Sequence, residues 1–350
     1  MNKFLDEIFE QPAAIDNVLN FYSGAEGKKK LAEVKAVIDD NKIEQVIFTG
    51  MGSSYFISHA ASILFNQLKF ESLVVNASEL LHYNFPILKK HTLLICISQS
   101  GESFEIKELL KHLPEGIHCV GIVNEEKSTL ACGAEIALPC KGGKEEMTST
   151  KTYVVTSLVA FILAWYLAGE WNDNKITMIK RLRDNFKKWV ESYQSKLLGA
   201  RDFMGEMQTL QIIARGPSFS AASQSALMFK EAVQIPATGI LGGEFRHGPM
   251  EMVGDGFKAI LFAAKGKTFI QSIKMTEDIV EFGGKVLLIT NEKVNLPDDN
   301  IKQIFIDEPD EFMFSINAVL PVQLFIDDYA KVRGFVAGSF SRGAKVTIIE

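Results

Sequence analysis

Short apolar runs, each closed by a polar or glycine-containing break and followed by a helical pattern, recur along this chain. Residues 45–49 (QVIFT) end in Gly50-Met-Gly-Ser-Ser, and a helix-periodic stretch follows over residues 55–68. Residues 73–76 form a second run. Residues 91–97 (HTLLICI) form a third, ending in Ser98-Gln-Ser-Gly-Glu-Ser before a helical pattern over 104–112. A fourth, 118–123, is ended by Asn124. Strands that are apolar on both faces and alternate with amphipathic helices predict a parallel sheet covered on both sides. The predicted class is α/β, doubly wound. The longest apolar run, 153–168, falls short of the roughly 20 residues of a membrane span. It also contains Thr156 and Ser157, so it predicts a buried helix and no membrane partner.

The pattern then repeats. Residues 211–214, Arg215-Gly-Pro-Ser-Phe and a helical stretch over 220–233 answer the first strand, its glycine loop and its helix. Gly52-Ser-Ser-Tyr-Phe matches Gly216-Pro-Ser-Phe-Ser at an offset of 164. The stretch from Leu94 to Phe104 matches that from Leu261 to Phe269 with two residues dropped, bringing Gly101 over Gly266. Gly121-Ile-Val-Asn matches Leu288-Ile-Thr-Asn at an offset of 167. A near-constant offset predicts one domain duplicated in tandem, joined through the charged, helix-forming region 175–193. The copies differ at the second loop. The first keeps Ser98, Gln99, Ser100 and Ser103, whereas the second has Ala263, Ala264 and Lys265 opposite the first three. Any site should therefore be asymmetric.

A length of 350 residues agrees with two domains at about 150 residues each. Lys and Arg total 37 against 43 Asp and Glu, a net charge of −6, which argues against a broad nucleic-acid footprint and predicts no nucleic-acid partner. Cys96, Cys119, Cys132 and Cys140 contain no C-x-x-C, so they predict reduced core thiols and no metal site. The first ten residues place acids where a signal peptide needs a basic stretch and then an apolar one, so a cytoplasmic protein is expected.

Four motifs carry candidate chemistry. Ser98-Gln-Ser-Gly-Glu-Ser ends a strand and opens a helix, where backbone N–H groups and serine hydroxyls would suit a phosphate monoester. The same residues also suit an ordinary capped helix. Gly50-Met-Gly-Ser-Ser-Tyr begins like G-x-G-x-x-G, but Tyr55 replaces the third glycine and only Glu71 is a loose candidate for the ribose acid. It therefore reads as a second wall of a sugar-phosphate pocket, with Ser53 and Ser54 as donors, rather than as a nicotinamide fingerprint. Met147-Thr-Ser-Thr-Lys precedes the apolar helix and would either cap it or close the pocket. Glu231 and His247 could divide a proton transfer between adjacent sugar carbons. Taken singly, each reads rather as a solvated carboxylate and a structural imidazole.

Together these residues resemble the tandem sugar-isomerase (SIS) domain family of phosphosugar isomerases and deglycases. Within it, the chain is most similar to the isomerase half of the glutamine–fructose-6-phosphate aminotransferases. Glu7-Ile-Phe-Glu-Gln-Pro-Ala-Ala-Ile, Ser98-Gln-Ser-Gly-Glu-Ser, Ser149-Thr-Lys, Lys230-Glu, Gly243-Glu-Phe-Arg-His-Gly-Pro and Ala344-Lys-Val-Thr-Ile-Ile-Glu carry the resemblance. It implies two tandem doubly wound SIS domains, at 41–172 and 200–334. A helical lead-in (1–40), a helical connector (173–199) and a tail (335–350) that closes the active site complete the chain. It also implies a sugar-phosphate substrate, no cofactor, and a homodimer.

By that resemblance Ser54, Ser98, Gln99, Ser100 and Ser103 would hold the phosphate, while Gly52, Ser53, Ser149 and Ala344 would contact the sugar. Glu231 would shuttle the proton between C1 and C2. His247 would assist ring opening from a neighbouring subunit, and Lys345 would engage the open-chain carbonyl. Two departures stand out: no glutaminase domain precedes the isomerase-like part, and Met228 replaces a lysine three residues before Glu231. Both are shared by the deglycases, which tend to lack the tail lysine. The expected activity is a glucosamine-6-phosphate deaminase or isomerase, with fructosamine-6-phosphate deglycase as the alternative. A non-catalytic phosphosugar sensor is the reading from another class, although the stretch of roughly 40 residues before the first strand is too short and too acidic for a DNA-binding domain.

Overall fold

The computed structural model describes residues 2–338; Ala344 and Lys345 lie outside the described residues. The chain divides into two compact units, one of residues 10–180 and the other of 2–9 with 181–338. The first helix, α1 (Lys3–Phe9), belongs to the latter.

The 10–180 unit opens with α2 (Gln11–Ser23) and α3 (Ala25–Asp40). Next come β1 (Gln45–Gly50), α4 (Ser53–Gln67), β2 (Ser72–Asn76), α5 (Ala77–His82), β3 (Thr92–Ser98) and α6 (Phe104–His112). Then follow β4 (His118–Val123), α7 (Thr129–Gly133), β5 (Ile136–Pro139), α8 (Lys151–Leu167) and the start of α9 (Asp173–Lys196). Its sheet has the order β2-β1-β3-β4-β5 and is parallel throughout. All seven residues of β3 are buried, because helices cover both faces and leave no polar side. Ile47, Leu94, Cys96, Ile106, Leu109 and Leu130 form the core on one face.

On the other face α8 packs against α4 and α2. Every residue of α8 except Tyr166 is buried, so this helix has no polar stripe. At its start Thr150 holds the N-cap position, but the Thr150 hydroxyl does not cap it. Instead the Glu145 carboxylate accepts from the Thr150 N–H (3.0 Å), the Thr152 N–H (3.1 Å) and the Thr150 hydroxyl (3.3 Å). Lys151, only 3% exposed, is neutralised by the Glu10 carboxylate. The Tyr22 hydroxyl donates to the Pro139 carbonyl at 3.0 Å, which ties α2 to the end of β5.

After α9 the second unit continues with α10 (Ala200–Met204), β6 (Leu210–Ala214), α11 (Ser218–Val233), β7 (Ala237–Leu241), α12 (Gly242–Arg246) and β8 (Lys258–Ala263). It closes with α13 (Phe269–Glu281), β9 (Lys285–Thr290), β10 (Ile301–Phe305), α14 (Glu311–Asn317) and α15 (Val319–Val332). Read from β7, its parallel sheet runs β7-β6-β8-β9-β10, the same path as the first. The matched serines Ser54 and Ser218 both fall in the first turn after the first strand of their copy. Ser103 and Thr268 are the N-caps of the matched helices α6 and α13. The duplication and the doubly wound class are thus present as read.

One expectation fails. Cys96, Cys119 and Cys140 are buried, but Cys132 is exposed. It lies on α7, a single short turn that sends only Leu130 into the core. Burial pushes the Cys140 thiol up to about 12, so it stays protonated beside Thr156. Among the described residues no helix is long and apolar enough to cross a membrane.

Glu145→Ala is expected to destabilise the 10–180 unit by about 1–2 kcal/mol, since α8 loses the acceptor for two first-turn amides. Urea denaturation reads this directly. An unchanged midpoint would mean that Glu145 does not hold the helix start.

Candidate functional site

In a sheet of this order the helices leaving β1 and β3 pass to opposite faces, which opens a crevice at the carboxyl ends of these two strands. Two glycines make the first loop possible. A Cβ on Gly50 would lie 2.8 Å from the Ile97 carbonyl oxygen, so β1 and β3 meet here backbone to backbone. Gly52, with φ +51°, turns the chain into α4 as its N-cap. Neither Gly52 at the start of α4 nor Ser103 at the start of α6 supplies a side-chain cap bond. In α4 the Ser54 and Tyr55 N–H groups donate to the Met51 carbonyl (3.0 and 3.4 Å), and both helices begin at the crevice without a side-chain acceptor.

The second loop is braced from behind. The Asn124 and Glu125 N–H groups donate to the Gln99 carbonyl (3.2 and 3.3 Å), and the Leu130 N–H donates to the Gly101 carbonyl (3.1 Å). Gly101 has φ +65°, and a Cβ there would fall 2.1 Å from the Ser128 Oγ, so no other residue fits. Within the loop the Ser98 Oγ accepts from the Gly101 N–H (3.1 Å) and lies 3.4 Å from the Ser103 Oγ, while the Ser100 Oγ accepts from the Glu102 N–H (3.2 Å). Glu102, the loop's only acid, is drawn away. Its carboxylate accepts from the Thr129 N–H (2.6 Å) and hydroxyl (2.9 Å), and that backbone bond above all holds its pKa below the ordinary carboxylate value. The crevice is left with neutral donors and no nearby free carboxylate from the loop itself.

Beside the loop opens a cleft of about 980 Å³, lined by Gln99 and Ser100 together with Asn124, Glu125, Lys141 and Lys144. Asn124 shapes it by accepting from the Gly142 N–H (2.9 Å) and donating to the Gly143 carbonyl (2.8 Å). Ser149 stands at the start of α8 with its hydroxyl 2.9 Å from that of Thr152.

The other unit carries Glu231 and His247. Glu231 is half-buried in the last turn of α11, and Met228, one turn earlier, is fully buried. His247 is exposed at the end of α12, where its N–H donates to the Glu244 carbonyl (3.0 Å). Phe245 anchors this turn in the core, and Arg246 clamps it through the Asp278 carboxylate at 2.6 Å. Burial alone would raise the Asp278 pKa, but hydrogen bonds from Lys274 and Arg246 hold it below the ordinary value. Gly248, with φ +126°, lets the chain leave directly after the histidine.

Thus Gly52, Ser53, Ser54, Ser98, Gln99, Ser100 and Ser103 gather at one switch point, with Ser149 in the same unit. Glu231 and His247 both belong to the second unit. Sequence reading missed Asn124, Glu145 and Asp278. For Asn124 a signal existed: it matches Asn291 in the repeat, whose Oδ1 accepts from the Lys265 N–H at 2.6 Å and so braces the corresponding loop. No cluster of three or more His, Cys, Asp or Glu side chains suited to a metal occurs among the described residues.

A family model described as SIS domain matches residues 41–164 and 206–325, the stretches that hold the two sheets. The chain is 30% identical over 338 residues to a glutamine–fructose-6-phosphate aminotransferase (isomerizing) of Pyrococcus horikoshii, covering 94% of this chain and 55% of that protein. The chain spans about half the length of the curated relatives it matches. Its fold is similar to the C-terminal domain of glucosamine-fructose-6-phosphate aminotransferase from Francisella tularensis, with a TM-score of 0.85, 22% identity, and coverage of 97% of this chain and 98% of that one. It is also similar to a glucosamine-6-phosphate deaminase from Thermotoga maritima, with a TM-score of 0.74, 21% identity, and coverage of 99% and 100%.

Two outcomes test the geometry. Gly101→Ala is expected to cost about 2–4 kcal/mol from left-handed strain and the Ser128 clash, read by thermal unfolding. Asp278→Asn should destabilise by about 1–2 kcal/mol near pH 7. Because the native Asp278 pKa is depressed, its contribution is present above the unfolded value and fades as pH falls through the native one. The gap between variant and parent should therefore close below about pH 4. A gap that persists in acid would exclude the ion pair as its source.

Proposed function

We propose, from the premise that this chain belongs to the SIS domain family, that it is an enzyme of the phosphosugar isomerase type acting at C1–C2 of an amino-substituted hexose 6-phosphate. The observation that carries this reading is the asymmetry of the two copies at matched loops. The first offers Ser98, Ser100 and Ser103 hydroxyls beside uncapped helix starts and turns its one loop acid outward. The second has Ala263 and Lys265 opposite Ser98 and Ser100 and keeps a hydroxyl only at Thr268, opposite Ser103. A dianionic phosphate is well served by such neutral donors, which leave nearby ionisable groups free for proton transfer.

In this reading Ser54, Ser98, Gln99, Ser100 and Ser103 bind the phosphate, with Gly52, Ser53 and Ser149 toward the sugar. The Glu231 carboxylate removes the proton from one of the two carbons and returns it to the other through an enediol or enolamine. His247, exposed and clamped by its neighbours, assists ring opening, and the homodimer of the proposal brings it from the partner subunit. Lys345 and Ala344, outside the described residues, complete the assignment at the tail. The reaction is deamination with isomerisation: the imine formed at C2 is hydrolysed by one water, so glucosamine 6-phosphate and water give fructose 6-phosphate and ammonia, or the reverse.

The buried Met228 favours a second reading. An apolar side chain one turn before Glu231 supplies no second proton carrier, and this suits a deglycase that splits a fructosamine 6-phosphate.

Amino-sugar phosphates incubated with the protein should release ammonia or an amino acid, identified by mass spectrometry together with the sugar. Binding without turnover of any of them would overturn the enzymatic reading in favour of a sensor. Glu231→Gln should lower kcat by roughly 10²–10⁴ and abolish solvent deuterium exchange at the substrate carbon, with phosphate-ligand affinity kept. Exchange at the parent rate would remove Glu231 as the base. Ser100→Ala should instead raise KM roughly tenfold with kcat little changed.

A further inference from the structure

The second copy has its own switch point, formed by the loops after β6 and β8, and α11 and α13 begin there without side-chain caps. A carboxylate already lies on it. A Cβ on Gly266 would be 2.7 Å from the Cδ and Oε2 of Glu311 and 2.9 Å from its Oε1, and one on Gly216 would be 3.5 Å from Oε1. The Glu311 head group therefore spans both glycines, Gly266 being the match of Gly101 and Gly216 that of Gly52.

The route by which Glu311 reaches this place is visible in the repeat. Glu145 and Glu311 each stand six residues beyond the last strand of their copy, after Pro139 and Phe305. In the first copy Glu145 turns inward to cap α8. In the second copy that task falls to Asp310, whose carboxylate accepts from the Phe312 and Met313 N–H groups at 3.0 and 2.9 Å. Glu311 is thereby released to lie across the loops. Burial pushes its pKa up, Lys267 pulls it back, and Asp310 adds a smaller rise. Ser218, the counterpart of Ser54, is 1% exposed and its hydroxyl has no hydrogen-bond partner among the described residues. A buried hydroxyl without a partner at the mouth of a helix is costly unless something comes to meet it. Thr268, at the N-cap of α13, likewise makes no cap bond.

We propose that the second copy retains an anion cradle of its own, built from the Gly216 and Gly266 loops with Ser218, Thr268 and Lys267, and that the Glu311 carboxylate is its built-in occupant. A tetrahedral oxyanion of the size of phosphate enters only when that side chain is removed. The duplicated fold thus keeps one open anion site and one closed from within, which restricts phosphosugar binding to the first copy.

The test uses the full chain with Ser98, Ser100 and Ser103 changed to alanine, so that its outcome does not depend on the function proposed above. Inorganic phosphate binding is measured by equilibrium dialysis and calorimetry in this parent and after adding Glu311→Ala. The parent should bind no phosphate and the Glu311→Ala chain one equivalent. That gain should vanish when Lys267→Ala and Ser218→Ala are added. A Glu311→Ala chain that is folded by circular dichroism yet binds no more than its parent would overturn the proposal. So would a parent that already binds one equivalent at the second switch point, since the cradle would then be open with Glu311 in place. Should Glu311→Ala fail to fold, Glu311→Ser, a residue tolerated at a helix start, carries the same comparison.

Discussion

A helix that springs from the carboxyl end of a parallel strand begins with N–H groups for which the helix itself has no acceptor. In this chain four helices, α4, α6, α11 and α13, start at the two switch points, and none has a side-chain cap. Asn76, Ser128 and Asp310 cap α5, α7 and α14, whereas α2, α3, α10, α12 and α15 start without side-chain caps, so it is the place of these four starts, at the carboxyl ends of the strands, that favours negative charge there. Each copy of the duplicated domain inherits this demand for negative charge from its topology, whatever its side chains do.

The two copies meet it differently. In the first, glycines without Cβ atoms bring the backbone close, serine hydroxyls add donors, and Thr129 holds the local acid aside. The demand is left for a ligand. In the second, Ala263 and Lys265 stand opposite Ser98 and Ser100, and a carboxylate of the chain lies over the loops. In the function proposed here, such an arrangement would separate two tasks that compete in a single pocket. Anchoring a dianion calls for positive potential, whereas a carboxylate base works best where neighbouring groups leave it free to accept a proton.

Much of the fold could be read from the residues because the central strands are apolar on both faces and leave an uninterrupted run in the sequence. The strands that escaped notice, β5, β7 and β10, all lie at sheet edges. They are short, and β10 has one buried residue among half-exposed and exposed ones, so periodicity does not mark it. The serine loop was legible because hydroxyls and glycine cluster at a strand-to-helix junction. Its supports were not. Asn124 acts through a loop 18 residues downstream, and Glu145 caps a helix that the nearer Thr150 hydroxyl leaves uncapped. Asp278 clamps a turn more than 30 residues earlier. Interactions of this sort depend on which loops the sheet brings together, which no local pattern encodes. Cys132 misled for the opposite reason: its neighbours are apolar, yet a single turn of helix has only one inward position.

The all-round apolar surface of α8 has an implication for how this architecture can be cut and reused. Because α2 packs on α8 and α3 packs on both, the first sheet owes its solvent-proof wall to residues that precede the segment recognised as the domain. A fragment trimmed to 41–164 would present a greasy cylinder to water and should self-associate. One beginning at Glu10 would carry its own cladding, along with the carboxylate that neutralises Lys151. The lead-in is therefore part of the first half's foldable module, and recombination or truncation that respects only the repeat boundary severs it.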